Sequence, residues 1–232
     1  MKEKIISSAI IAVSIVVLGL CIKWGIDDFV NKDRQVTVKG LAEIEVEADQ
    51  VTWPVQTKVM GNDLPELYSQ ASTIQQKAKD FFVHNGIKAD DIILGAMSVE
   101  DLEVNEWNEN KKSYRYIVTS NLTITSKDVA LVRSLINKQG ELLKQGVALV
   151  NGYNTTPSYK YVAFIDKKVE MMKEAISNAQ KTAEQFAENS HSKLNKIVTA
   201  DQGQFSIEDA SDTAPWLKKI RVVTTVTYSL KD

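Results

Sequence analysis

The sequence predicts an α+β domain, in which long amphipathic helices lie on one face of a mostly antiparallel sheet, preceded by one N-terminal transmembrane helix. Three patterns lead to this prediction. Residues 5–22 carry no charged side chain. Between residues 36 and 228, several segments alternate apolar and polar residues, which is typical of half-buried strands. Between these strands, apolar residues recur at spacings of three and four, which indicates amphipathic helices.

Composition narrows the class of protein. The chain has 232 residues, a formal net charge of −2 and 25% charged residues, a balance that excludes a disordered acidic tail and a basic nucleic-acid-binding arm. A mean hydropathy of −0.19 excludes a polytopic membrane protein. The single cysteine, Cys21, excludes an internal disulfide and a zinc site built from cysteines. We therefore expect no cofactor, no metal and no nucleic-acid partner.

The apolar segment 5–22 is long enough to cross a bilayer as a helix, because its 18 residues rise about 27 Å. Lys2 and Lys4 precede it, and positive flanks stay in the cytoplasm, so the chain after Lys23 is expected to be exported. This predicts a single-pass membrane protein whose domain is exported. The predicted organisation is a membrane anchor at 1–23, a stalk at 24–33 and one α+β domain at 34–232.

Two other interpretations of the N-terminal segment stay open. A cleaved signal peptide has a shorter apolar core and small residues before the cut site, and no A-x-A pattern is present here. A lipid-modified Cys21 would follow a small residue, whereas Leu20 precedes it. An uncleaved anchor fits the length and the flanks best.

The first half of the domain begins with two alternating strands, at 36–46 and 51–59, joined by a turn at 48–49. Gly40 predicts a bulge or bend, and Pro54 predicts an edge position or a local bulge, because proline cannot donate to a ladder. The next segment predicts a helix capped by Asp63 and closed by Asn85-Gly86, with an apolar face formed by Leu67, Ala71, Ile74, Ala78 and Phe81. Then follow a strand near 94–104, a hairpin tip at 108–110 and a returning strand at 114–124.

The second half repeats this order, which predicts two βαβ-type halves. Ser126 is expected to cap a helix whose face is Val129, Val132, Leu135 and Ile136, ended by Gly140 and Gly146. Strands are expected near 147–153 and 158–165. Asp166 is expected to cap a long helix with the apolar stripe Val169, Met172, Ile176, Ala179, Ala183 and Phe186. Ile197-Val198 begins a strand, residues 201–217 form a polar loop, and 220–228 is the last strand.

No motif of a known catalytic site is present: the sequence lacks a G-x-S-x-G elbow, a P-loop and an H-E-x-x-H zinc motif. His84 lies at a predicted helix end, where an imidazolium stabilises the helix dipole, and His191 lies in a predicted turn. Glu43, Glu45 and Glu47 share one face of a strand, which favours a solvated face that deters edge pairing over a calcium site. We predict no enzyme and name no catalytic, cofactor-binding or metal-binding residue.

Methionines and tryptophans offer weaker signals. Met97, Met171 and Met172 could suggest a soft metal, but the position of Met172 in the helix stripe favours core packing. Trp107 and Trp216 fall in a predicted hairpin tip and a predicted loop. There a tryptophan either anchors an interface or packs back on its own domain.

Several of these segments together resemble the SIMPL-domain family. They are the strand 36–40, the turn at 48–49, the helix end at 85–87 with Asp91-Ile92, the helix 169–187, the segment 193–198 and the closing strand 222–228. The resemblance covers about residues 36–230. It implies an exported bacterial envelope protein with repeated βαβ-type units, which would place the single span in the bacterial inner membrane and the domain in the periplasm. It also implies self-assembly into rings or larger oligomers, and proposed roles in stress protection or channel-like assembly. It brings no catalytic residues.

Three hypotheses for function follow. The first is a non-enzymatic, single-pass envelope protein that forms a homo-oligomer through its exported domain, with a role in envelope stress protection. The second is a ligand-binding or enzymatic periplasmic protein with a site near the 201–217 loop, which contains Phe205, Ile207 and Trp216. The third is a ring-shaped, channel-like assembly. The sequence does not identify other protein partners.

Overall fold

A computed structural model describes residues 2–31, 34–103 and 113–231. Within these ranges, the side chains of residues 2–11, 27–31 and 153 are not described. The predicted hairpin tip at 108–110 and Trp107 lie outside the described residues. In chain order the helices and strands are α1 (Lys2–Asn31), β1 (Gln35–Glu47), β2 (Gln50–Gly61), α2 (Leu64–His84), β3 (Ile92–Leu94), β4 (Ser98–Asp101), β5 (Tyr116–Ser126), α3 (Val129–Asn137), α4 (Gln139–Lys144), β6 (Ser158–Lys160), α5 (Phe164–Asn189), β7 (Lys193–Asp209) and β8 (Leu217–Lys231).

The described chain divides into two compact units. The first contains residues 1–44, 165–207 and 220–232, and the second contains 45–164 and 208–219. The strands form a three-stranded sheet, β1-β8-β7, and a five-stranded sheet, β3-β5-β2-β6 with β4 also paired to β5. The predicted α+β class with antiparallel strands is confirmed. The strands lie in two sheets rather than one, and the assignment of 34–232 to a single domain stays a prediction.

The N-terminal helix α1 runs without a break through the segments predicted as anchor and stalk, as far as Asn31. The side chains described in it, residues 12–26, are exposed. In the described part of the chain, no helix reaches the length and apolarity that crossing a membrane requires. The transmembrane helix predicted at 5–22 is therefore not supported, and residues 5–11 of that segment are among those whose side chains are not described.

The second unit is built around β2 and β5, which pair antiparallel from Val51 opposite Ser126 to Gly61 opposite Tyr116. The alternation expected for a half-buried strand is present in β2, whose odd-numbered residues from Val51 to Thr57 are buried. Trp53 on this face meets Phe82 of α2 edge-on, with ring centroids 5.3 Å apart. The strand period therefore sets the face on which the core forms.

Helix α2 covers this face and has the caps that the sequence predicts. An Oδ1 atom of Asp63 accepts a hydrogen bond from the Glu66 amide at 3.0 Å, and Gly86 ends the helix with a φ of 102°, in the left-handed region that favours glycine. Leu67 and Ala71 pack with Val118 of β5. The predicted face is confirmed, and it also includes the buried Phe82.

Several predicted strands and one cap in the second unit are wrong or displaced. The strand expected near 94–104 is two short strands, β3 and β4. Residues 147–153 form only an isolated bridge, between Leu149 and Thr57, and the strand expected at 158–165 ends at Lys160. Asp128, not Ser126, caps α3: its Oδ1 accepts from the Leu131 amide at 2.9 Å, because it directly precedes the first helical turn.

Pro54 occupies an edge position, as predicted. On one side, it lies opposite Thr123 of β5. On the other side β6 pairs with β2 only at residues 50–52, so Pro54 lies beyond the end of β6. A missing amide proton costs nothing there, because no ladder partner in the described chain faces it.

The first unit contains the sheet β1-β8-β7 and helix α5. Its β1–β8 pairing is antiparallel, since the Leu230 amide donates to the Arg34 carbonyl at 2.9 Å while the hydroxyls of Thr37 and Thr227 lie 2.9 Å apart. Val38, Val226 and Tyr228 on one face of this sheet pack with alanines of α5. The core of this unit therefore lies between α5 and one face of the sheet.

Gly40 brings α5 close to β1. The predicted bulge is wrong, because β1 is continuous through this residue. A Cβ atom at position 40 would instead overlap the Ala175 carbonyl oxygen and lie 2.6 Å from the Ala179 nitrogen. The side-chain amide of Asn178 also donates to the Leu41 carbonyl at 2.9 Å. Glycine is required here because the backbone of the helix touches the backbone of the strand.

Replacing Gly40 with alanine is expected to destabilise the first unit by about 3 kcal/mol, because the added methyl group must push the helix away from the strand. Gly140→Ala is the matched control. A Cβ at Gly140 meets nothing within 4 Å, and alanine there is expected to stabilise α4 by about 0.5 kcal/mol. Urea denaturation of the full chain measures both. Equal stabilities of the two variants would contradict the close contact.

Candidate functional site

The buried face of α5 consists of one methionine and four alanines. Met171, Ala175, Ala179, Ala183 and Ala187 are at most 2% exposed and recur every four positions. A row at this spacing forms one ridge of a helix, and it drifts around the helix axis as the helix crosses the sheet. Alanines let this ridge approach the sheet closely. The helix backbone therefore lies close to the sheet, and large side chains of the sheet, Val38, Val226 and Tyr228, pack against the alanines.

The predicted apolar stripe of α5 is only partly correct. Ala179 and Ala183 are buried, but Val169 is 76% exposed, Ile176 40% and Phe186 57%. Ile165, one turn before Val169, is 78% exposed. At the contact with Gly40 the helix presents Ala175 and Ala179 to the strand, and Val169, Ile176 and Phe186 lie outside the buried row.

Strand β7 replaces most of the loop predicted at 201–217. It runs from Lys193 to Asp209, and most of its residues are exposed, among them Ile197 (54%), Val198 (48%) and Ile207 (40%). Among the described strands, β7 pairs only with β8, so its other edge presents backbone N–H and C=O groups outward. The prediction missed this strand because neither of its faces is buried, and alternation reports a buried face.

The remaining loop is short, and Trp216 in it belongs to the second unit. Its ring contacts Tyr159 edge-on at a centroid distance of 6.3 Å, and the Arg133 guanidinium carbon lies 3.5 Å from its ring centroid. Trp216 thus packs back on its own core, one of the two outcomes left open by the sequence. Phe205 and Ile207 lie on β7 in the first unit, with the Lys168 ammonium 6.0 Å from the Phe205 ring centroid.

A cleft of about 370 Å³ lies beside this loop in the second unit and corresponds to the alternative ligand site. Tyr159, Asp209, Pro215 and Lys218 are among its lining residues. The side chain of Lys218 is only 10% exposed and forms an ion pair with Asp209. Burial raises the pKa of the Tyr159 hydroxyl, and the Arg133 charge opposes that shift. The ammonium is already matched by a carboxylate, which favours a structural role for the pair.

The other candidate residues lie in positions that fit the structural roles favoured by the sequence analysis. His84 is in the last turn of α2, and His191 is a turn residue with a φ of 54°. Met171 is buried in the α5 ridge, and Met97 packs against the Leu67 cluster. Glu43 lies 3.4 Å from Arg221 on the neighbouring strand, while Glu45 and Glu47 are exposed at alternate positions of β1. The structure does not bring these residues together into one site.

A comparison with known families identifies the family of this chain. The model of the SIMPL family, described as a protein of unknown function (DUF541), matches residues 36–228. The match covers most of the chain, so this protein belongs to the SIMPL family, as its sequence segments indicated. A search of curated proteins gave no match.

The Lys218–Asp209 pair generates a stability prediction. Asp209→Asn should cost about 1–2 kcal/mol, because it leaves a buried ammonium without its carboxylate; the 45% exposure of the Asp209 side chain keeps the cost below that of a fully buried pair. Lys218→Met should cost less than about 0.5 kcal/mol, since it removes the buried charge and keeps a chain of similar length. Urea denaturation compares the two, and a larger cost for Lys218→Met would contradict the assigned burial.

Proposed function

We propose that this protein is a non-enzymatic envelope protein whose domain forms homo-oligomers, with β7 as the main contact. The observation that carries the proposal is the exposed edge of β7, a strand of 17 residues, with which no other strand among the described residues pairs. Strands in globular proteins usually have 3–10 residues, and a long, exposed, apolar edge is a template for pairing with another chain. We also propose that the oligomer acts in protection of the cell envelope against stress.

The middle of β7 supports pairing because it has few of the features that block it. Between Ile197 and Ile207, the only charged residue is Asp201, and there is no proline. Monomeric proteins protect their edges with charges, prolines or a covering element. The other outer strand of this sheet, β1, does carry such charges: Lys39, Glu43, Glu45 and Glu47. The two edges of the same sheet therefore differ in their capacity to pair, and β7 is the open one.

The exposed apolar residues on α5 add to this case. Ile165, Val169 and Ile176 occupy one side of the helix at spacings of four and seven, with Met172 between them half-buried. The segment 166–174 carries Asp166, Glu170 and Glu174 and the lysines 167, 168 and 173. Its formal charge is zero, which gives no attraction to an anionic lipid surface. Exposed apolar patches bordered by mixed charges are typical of protein–protein contacts.

The proposal includes export of the domain. A ring-shaped assembly would require a further contact besides β7. Lys2 and Lys4 before the apolar segment favour a cytoplasmic N-terminus. Protease treatment of spheroplasts tests this: degradation of the domain without lysis supports export, and protection until lysis contradicts it. A closed ring requires head-to-tail contacts, whereas pairing of two β7 edges is symmetric and closes at two copies.

Placing lysines on the edge should weaken the oligomer. In Ile197→Lys/Val198→Lys, each face of β7 gains a cation next to the open edge, where a second strand would have to bury it. We expect a fall in particle mass toward the monomer at equal concentration, measured by light scattering in mild detergent.

Val83→Lys is the matched control for this measurement. Val83 is an exposed apolar residue of α2 (39%) in the other unit, so its substitution should leave the mass unchanged. A wild-type protein that is monomeric over a wide concentration range would overturn the proposed function. An unchanged mass of the β7 variant would overturn the assignment of the contact to β7.

A further inference from the structure

An apolar seam runs along the first half of α5 and is formed by Ile165, Val169, Met172 and Ile176. We infer that this seam packs antiparallel against the same seam of a second copy, with Asp166 of each copy beside Lys173 of the other. The inference rests on the proposed self-association and adds a second contact surface, its partner and its direction.

The spacing of the seam is that of helices which pack side by side. Its residues follow one another at intervals of four, three and four, the pattern by which helices of coiled coils meet. At about 100° per residue, the four side chains fall within about 60° of the helix circumference. Ile165 and Val169 are 78% and 76% exposed, Ile176 is 40% exposed, and Met172 is half-buried. The seam is therefore a continuous apolar strip that a second helix can cover.

The seam reaches the side of α5 that faces β7. On one flank of the buried row, the side-chain amide of Asn178 donates to the Leu41 carbonyl of β1 at 2.9 Å. On the other flank, the Lys168 ammonium lies 6.0 Å from the ring centroid of Phe205 in β7. Met172 and Ile176 follow Lys168 at intervals of four, so they lie on the β7 flank.

This position places the seam beside the proposed strand contact. Two short seams bury less than the roughly 1,000 Å² that a stable interface usually requires, so the helix contact acts together with the edge of β7. The seam and β7 belong to the same compact unit. An antiparallel helix pair and an antiparallel strand pair both have two-fold symmetry, so one axis can relate both contacts.

The antiparallel arrangement matches the apolar residues of the seam. When Ile165 lies opposite Ile176 of the second copy, Val169 lies opposite Met172, and each contact forms twice. The same arrangement matches the charges. Asp166 and Lys173 each follow a seam residue directly and are exposed. Asp166 then lies only about 3 Å along the helix axis from Lys173 of the second copy, and this ion pair also forms twice.

The parallel arrangement loses this match. In a parallel pair of helices, the residue that precedes one seam position meets the residue five positions later in the second copy. Lys168 would therefore meet Lys173, and like charges would face each other on both sides of the seam. In the antiparallel pair, Lys168 lies on the β7 flank, about 7.5 Å along the axis from Lys168 of the second copy. The charges of α5 therefore select the antiparallel direction.

Charge reversal tests the ion pairs in the full-length protein. Lys173→Asp should raise the dissociation constant of the oligomer about fivefold, because both attractive pairs become repulsive. Asp166→Lys should weaken association for the same reason. The double variant Asp166→Lys/Lys173→Asp should return to the wild-type constant, since the pairs form again with their signs exchanged. Lys181→Asp is the matched control, because it makes the same charge change at an exposed position of α5 outside the seam. Sedimentation equilibrium in mild detergent measures all four variants.

Cysteine cross-linking tests the direction. In a background carrying Cys21→Ser, Ile165→Cys and Ile176→Cys are made as separate variants, mixed, and oxidised with diamide. The mixture should give a disulfide-linked dimer, because positions 165 and 176 face each other. Each variant alone should cross-link about tenfold less, because its symmetry mate lies 11 positions away, or roughly 16.5 Å along the axis. Val83→Cys on α2 is the control for random collision.

The outcomes separate the inference from the proposed function. Cross-links in the mixture alone, with rescue by the double charge variant, are the expected result. Cross-linking of Ile165→Cys alone as fast as in the mixture, with tighter association of Lys173→Asp, would show parallel packing and overturn the inference. Oligomeric wild-type protein with neither cross-links nor a charge effect would overturn the α5 contact and leave self-association standing. Monomeric wild-type protein would overturn both.

Discussion

The close contact between Gly40 and α5 is the constraint on which the rest of the first unit depends. At this point, the backbone of the helix meets the backbone of the strand, since even a methyl group would overlap the Ala175 carbonyl. Only small residues fit along the contact, and the alanine ridge of α5 supplies them. The large side chains of this core, Val38, Val226 and Tyr228, lie on the sheet and pack closely against the alanines.

This constraint explains why large apolar residues lie outside. A helix has one row that can face the sheet, and alanines occupy that row here. Val169, Ile176 and Phe186 are therefore turned away. The sheet beneath the helix has only three strands, so two of its three strands are edges. Charges on β1 protect one edge, whereas the uncharged middle of β7 leaves the other open. A unit built in this way has apolar surface for a second molecule.

The sequence predicted most correctly those elements whose signals are local. Asp63 and Asn85-Gly86 mark the ends of α2 by chemistry that acts within a few residues. The alternation of β2 predicted its buried face, because that face lies on a core of large side chains. The SIMPL family also followed from ordered short segments and is confirmed over residues 36–228.

The sequence-based predictions were wrong where tertiary contacts, and not the local sequence pattern, determine which residues are buried. Two rows of residues on α5 have helical spacing, and hydrophobicity alone predicted that the row with Val169 and Phe186 is buried. The alanine row is buried instead, where it contacts Gly40, a residue more than a hundred positions earlier in the chain. Likewise β7 has no clear alternation to detect, because it pairs with β8 along one edge and most of its side chains are exposed. The candidate surface was missed because a surface left open for another chain carries no pattern of burial within this one.

Hydrogen exchange of the backbone amides of β7 tests the central claim most directly. Outward N–H groups on an open edge exchange quickly, whereas paired ones are protected. The full chain is compared at two concentrations that differ a hundredfold, with the peptides of β2 and β5 as internal references. The account predicts that amides between Lys196 and Glu208 become more protected at the higher concentration while the references stay constant. Equal exchange of β7 at both concentrations, in a protein that remains monomeric, would contradict it.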